Sequence, residues 1–117
     1  MQRKYLLAIL MMCLAFSAAC AVNVAERNAA GNRQYRAEDY EAALRAYQAA
    51  MVDAPDRPEA YYNAASALAE MEQFSLAVAA LDQAIHTGDE GLIARAHYNL
   101  GNVYFLMGDF DRAAAAY

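Results

Sequence analysis

The same residue types return along this chain at a step near 34 residues. Small residues stand at Gly31, Ala65 and Gly101, aromatics at Tyr40, Phe74 and Phe110, and alanines at Ala43, Ala77 and Ala113. Ala43 to Ala77 is 34 residues and Ala77 to Ala113 is 36, so two extra residues must lie between the second and third copies. The segment Thr87-Gly88-Asp89-Glu90-Gly91 absorbs them, because glycine tolerates loop geometry. A period of this length marks supersecondary units stacked side by side, none of which buries its own apolar face alone. A chain of 117 residues then holds one run of such units and little more.

Within each copy the apolar spacing is helical. Ala42, Ala43, Ala46, Tyr47, Ala50 and Met51 fall at three- and four-residue steps, as do Leu76, Ala77, Ala80, Leu81 and Ala84. Much of the 60% hydrophobic share is alanine, the strongest helix former, and two prolines and five glycines are too few for most all-β designs. Pro58 suits a first helical turn, and Glu59 and Glu90 favour helix N-termini. Breaks near Glu38-Asp39, Pro55-Asp56, Glu72-Gln73, Gly88–Gly91 and Gly108-Asp109 predict six helices, at about 24–37, 41–53, 58–70, 74–86, 91–106 and 110 to the end.

These residues resemble the tetratricopeptide repeat. The third copy is most similar, through His97-Tyr98-Asn99-Leu100-Gly101-Asn102-Val103-Tyr104, then Gly108-Asp109-Phe110 and Ala113. The first carries Gly31, Tyr40, Ala43, Tyr47, Ala50 and Pro55; the second has Glu72 in place of the small turn residue and Asp89 in place of proline. The resemblance implies an all-α fold of antiparallel helix pairs in a right-handed superhelix. Its units are about 24–57, 58–93 and 94–117, the last incomplete. It also places Tyr40, Phe74 and Phe110 between units and His97 at a large core position. A stack of this kind needs a terminal element with a polar outer face, which Ala113 to Ala116 does not supply. The expectation is therefore that the last helix frays and that the chain self-associates through it.

The first twenty residues have a different character. Arg3 and Lys4 precede an uncharged run from Tyr5 to Val22, the anatomy of a secretory signal. Ser17-Ala18-Ala19-Cys20 resembles the lipobox of bacterial lipoproteins, with Ser17 where leucine is usual; cleavage there would leave Cys20 to carry lipid. Ordinary cleavage near Ala19 or Ala21, or an uncleaved anchor, are the alternatives. Cys13 lies within the apolar run as a small hydrophobe, and with both cysteines in this segment no disulfide framework holds the body.

The whole chain has 9 Lys plus Arg against 14 Asp plus Glu, a formal charge of -5. Without Arg3 and Lys4, residues 21–117 keep seven arginines and all fourteen carboxylates, a formal -7. Such a body disfavours nucleic acid as a partner and is repelled by anionic lipid, so only the N-terminal segment should hold it to a membrane. No catalytic constellation or cofactor motif stands out. His86 and His97 lie apart from other ligand types, and the carboxylates around Glu38-Asp39-Glu41 and Asp53-Asp56-Glu59 lack the alternation of a calcium loop and read as solvated helix ends. The expectation is no enzyme, no metal and no cofactor.

What remains is a surface. The resemblance implies that the first helices of successive units line a concave groove for a peptide or protein partner. Family position puts there Asn28, Asn32, Tyr35 and Arg36; Glu59, Tyr62, Asn63, Ser66 and Glu70; and Arg95, Tyr98, Asn99, Asn102 and Phe105. Of these, Asn32, Tyr35, Tyr62, Asn63, Ser66, Arg95, Tyr98, Asn99 and Asn102 are the candidate partner-binding residues. Amides pair with a peptide backbone and tyrosines add apolar area with a polar tip. Chaperone-binding members grip a terminal carboxylate with two lysines, an arginine and two asparagines; here those positions hold Asn28, Asn32, Asn63, Arg95 and Asn99, two cations short. The resulting reading is an exported, lipid-anchored interaction module of the cell envelope. The alternative is an accessory repeat domain of a longer enzyme or membrane complex.

Overall fold

Alanine-rich stretches punctuated by Asp, Gln and Gly wind, among the described residues, into six helices: α1 (Gln2–Arg36), α2 (Tyr40–Asp53), α3 (Pro58–Glu70), α4 (Phe74–Thr87), α5 (Glu90–Leu106) and α6 (Phe110–Ala116). The computed structural model describes the backbone of residues 2–117 and the side chains of residues 5–13 and 23–117, and no strand occurs among them. The helices pair as α1 with α2, α3 with α4 and α5 with α6. The second helix of each pair packs on the first helix of the next, and α1 touches α3 as α3 touches α5. The result is the expected all-α stack.

Five of the six helices lie within a residue or so of their expected bounds; α1 does not. It starts at Gln2 rather than near residue 24, so the apolar N-terminal run and the first repeat helix are one helix. The physical reason is that no glycine or proline interrupts residues 2–30, and Ala, Leu and Met are strong helix formers. The apolar side chains Leu6, Leu7, Ile9, Leu10, Met11 and Met12 are all exposed, as is Cys13. Cys20 has its side chain outside the described residues. Among the described residues no helix is long and apolar enough to cross a membrane.

The same turn closes the first helix of every pair. Glu38, Glu72 and Gly108 all have positive φ, at 61°, 58° and 78°. The amide after each reaches back five residues: Asp39 to the Gln34 carbonyl, Gln73 to Leu68 and Asp109 to Tyr104, at 2.8–3.0 Å. That is the helix-ending motif glycine serves best. Asp39 and Asp109 then cap the following helix, their carboxylates accepting from the amides of Ala42 and Arg112 at 3.0 and 3.1 Å. A left-handed non-glycine residue costs roughly 1–2 kcal/mol, against about 0.5–1 kcal/mol for the freedom glycine loses on folding. Glu72→Gly should therefore stabilise the chain by about 0.5–1 kcal/mol in denaturant unfolding; no gain would show that this turn is unstrained.

The core runs along the interior of the stack. Ala43, Ala77 and Ala113 are buried where the helices of each pair cross, and Leu68, Leu81, Leu92 and Leu100 join units two and three. Tyr40 and Phe74 pack between units as expected. Phe110, expected there too, is 62% exposed and rests edge-on against Phe105; among the described residues that face is open. Leu76, expected on the apolar stripe of α4, is also exposed. At the other end, Val24 buries itself against Ala50 and Ala60, and Arg27 pairs with Asp53 at 2.6 Å, so Asp53 ties α1 to α2 rather than standing as a solvated helix end.

Candidate functional site

Units one and three repeat one arrangement. The ring of Tyr47 fills the space over Gly31 and its hydroxyl donates to the Asn32 side-chain oxygen at 2.7 Å. Tyr117 does the same over Gly101, donating to Asn102 at 2.7 Å. A methyl group at Gly101 would sit 2.7 Å from the Tyr117 ring. Unit two has Ala65 and Leu81 at the equivalent places, and its Ser66 hydroxyl turns to the Tyr62 carbonyl of its own helix at 3.4 Å. Asn32 and Asn102 therefore join the first helix of each of these pairs to the tyrosine that follows on the second or at its end, and Asn102 also lines a pocket on the first-helix face. Each amide keeps its NH2 donors after its oxygen is engaged.

Between these units α1, α3 and α5 enclose a pocket of about 270 Å³. Tyr35, Ser66, Glu70, Asn99 and Asn102 supply its polar rim, over a floor that includes Ala65, Ala69, Leu81, Val103 and Leu106. The Tyr35 hydroxyl donates to Glu70 Oε1 at 3.3 Å, and its ring meets Tyr40 edge-on at 5.3 Å. Burial first, then the charge and hydrogen bond of Glu70, push the Tyr35 phenol up to about 12. It therefore keeps its proton, and stays a donor, at neutral pH.

Four of the nine candidate residues share this pocket: Tyr35, Ser66, Asn99 and Asn102. Asn32, three residues before Tyr35 on α1, is outside the lining and accepts from the Tyr47 hydroxyl. The Arg95 guanidinium stacks on Tyr62 at 5.4 Å, and its Nε donates to the Gly91 carbonyl at 3.4 Å. Asn63 lies half-buried next in sequence to Tyr62. Tyr98 is 61% exposed, its ring 5.7 Å from that of Tyr117, in a shallow cleft between α5 and α6. His97 lines that same cleft and is exposed, not a core residue. The large inward role belongs instead to Leu100, three residues on. Sequence reasoning missed the floor residues Ala69 and Leu106, which carry no polar signal.

The opposite face holds a second hollow. Leu44, Met51, Tyr61, Leu68 and Leu76 line a trough of about 550 Å³ between α2 and α4, edged by glutamines. Its lining carries no charge, whereas the concave pocket gathers hydroxyl, amide and carboxylate groups from three helices. Convergent polar groups over an apolar floor are what fix a ligand's orientation. Among the described residues no group of three or more His, Cys, Asp or Glu side chains gathers as for a metal ion.

Tetratricopeptide repeat profiles match residues 28–70, 58–85 and 94–117, together most of the stack. The chain belongs to the tetratricopeptide repeat family. No curated protein sequence matches it. Among solved structures it is similar to the N-terminal domain of stress-induced protein-1 from C. elegans, with 26% identity, a TM-score of 0.78 and cover of 84% of this chain and 81% of that one. A MamA structure shares 30% identity at a TM-score of 0.73; the match covers 80% of this chain but 54% of that one, so the repeat chain spans about half of MamA. The second tetratricopeptide domain of Spaghetti (RPAP3), bound to the HSP90 peptide SRMEEVD, shares the fold at 19% identity, a TM-score of 0.74 and cover of 80% and 85%.

Proposed function

We propose that this tetratricopeptide repeat chain is a binding module whose partner, a peptide or a segment of a protein, lies in the concave groove. The observation that carries the reading is the convergence of Tyr35, Ser66, Glu70, Asn99 and Asn102, from three helices, on one pocket with an apolar floor. A similar stack in RPAP3 holds a peptide. Filling the pocket with Ala69→Leu and removing an amide with Asn99→Ala should together lower partner recovery about tenfold or more, the equivalent of roughly 1.4 kcal/mol. Helicity should persist, and Arg45→Ala, exposed on α2, should change nothing. Recovery equal to wild type would remove the groove from the account.

The module is exported and held at a membrane of the cell envelope by its N-terminal segment. Arg3-Lys4 followed by an apolar run supports this, as does the exposure of the large apolar side chains from Tyr5 to Met12. A lipid on Cys20 would supply the anchor. Metabolic lipid labelling should tag wild type and not Cys20→Ser; equal labelling of both would refute lipidation while leaving export standing.

A further inference from the structure

Within the concave pocket, one side chain decides the sign of the field. Glu70 is the only charged residue that lines it among the described residues. One carboxylate oxygen accepts a long hydrogen bond, 3.3 Å, from the Tyr35 hydroxyl. A carboxylate has about four acceptor sites, so most of its capacity is left to a ligand. A tyrosine that keeps its proton cannot neutralise it. Of the two arginines that family position puts in the groove, Arg36 and Arg95, neither lines the pocket, and Arg95 is committed to the Tyr62 ring and the Gly91 carbonyl.

We infer that the groove takes a peptide segment presenting an internal arginine or lysine to Glu70, with an adjacent apolar side chain on the floor at Ala69, Val103 and Leu106. This deepens the proposed function and rests on it. Charge complementarity favours a cation here at two ranges. Locally, a guanidinium pairs with a carboxylate through parallel, charge-assisted hydrogen bonds. At a distance, the formal -7 of residues 21–117 draws basic segments in and repels acidic ones. The Asn102 NH2 group, its oxygen held by Tyr117, and the Asn99 amide are placed to meet the backbone of such a segment. Glu70 also selects against the alternative. A free chain-terminal carboxylate seated in this pocket would face a like charge with no lining cation to offset it, a repulsive element that raises specificity.

Selection of short random peptides with free and amidated C-termini, displayed to the full-length chain, tests this. Wild type should enrich internal Arg or Lys beside an apolar residue about tenfold over the input; Glu70→Gln should lose that enrichment, and Glu70→Lys should reverse it toward Asp and Glu. Glu70 is exposed at the last position of α3, so neither change should disturb folding. Enrichment of acidic or free-carboxylate peptides by wild type would overturn the inference, as would cation enrichment that persists in Glu70→Gln. The underlying groove reading fails separately, if no peptide is enriched or if enrichment survives the pocket-filling Ala69→Leu.

Discussion

Gly31→Ala is expected to destabilise the chain by about 1–3 kcal/mol, the cost of forcing a methyl group into a filled interior. The added carbon would overlap the ring of Tyr47, which is buried and held by its hydrogen bond to Asn32 at 2.7 Å. The ring cannot swing aside without breaking that bond. The second unit shows the accommodated form of the same site, with Ala65 opposite Leu81. Gly31→Ala combined with Tyr47→Leu reproduces that pair. The double variant should therefore be less destabilised than the sum of its parts, with a coupling of about 1 kcal/mol or more in a denaturant-based cycle. Additive losses would show that Gly31 serves some need other than room for the tyrosine ring.

Leu81→Ala should cost about 2–5 kcal/mol, the range for emptying a buried leucine site. Leu81 is 1% exposed, packed in the cluster that joins α3, α4 and α5, and it also forms part of the pocket floor. The loss should thus appear twice, as a lower unfolding midpoint and as weaker binding in the groove. Leu76→Ala, on the same helix but 57% exposed, supplies the contrast and should cost much less. Equal losses at the two positions would contradict the burial described here.

The register of the stack is legible because small and aromatic residues must recur where helices cross. Gly31, Ala65 and Gly101 mark one crossing; Ala43, Ala77 and Ala113 mark its partner. Helix ends were legible for a similar reason, since Asp39, Gln73 and Asp109 each close one turn and begin the next helix. The start of α1 was not, because a change from apolar to polar composition looks like a boundary although nothing in it stops a helix. Family position puts Phe110 and His97 inward, but burial depends on what covers a face, and among the described residues both are exposed. The division of the groove residues was hidden too. Asn102 bonds a tyrosine fifteen residues later, and Arg95 stacks on Tyr62 across two helices, pairings that only the packed units bring together.

Amide hydrogen exchange of the full chain, with and without a bound partner segment, tests the central claim most directly. Protection should rise on the groove sides of α1, α3 and α5, around Tyr35, Ser66–Glu70 and Asn99–Leu106, while α2 and the outer face of α4 stay unchanged. Protection that instead rises along Leu44, Met51 and Leu76, the trough of the opposite face, would contradict the concave groove as the binding surface.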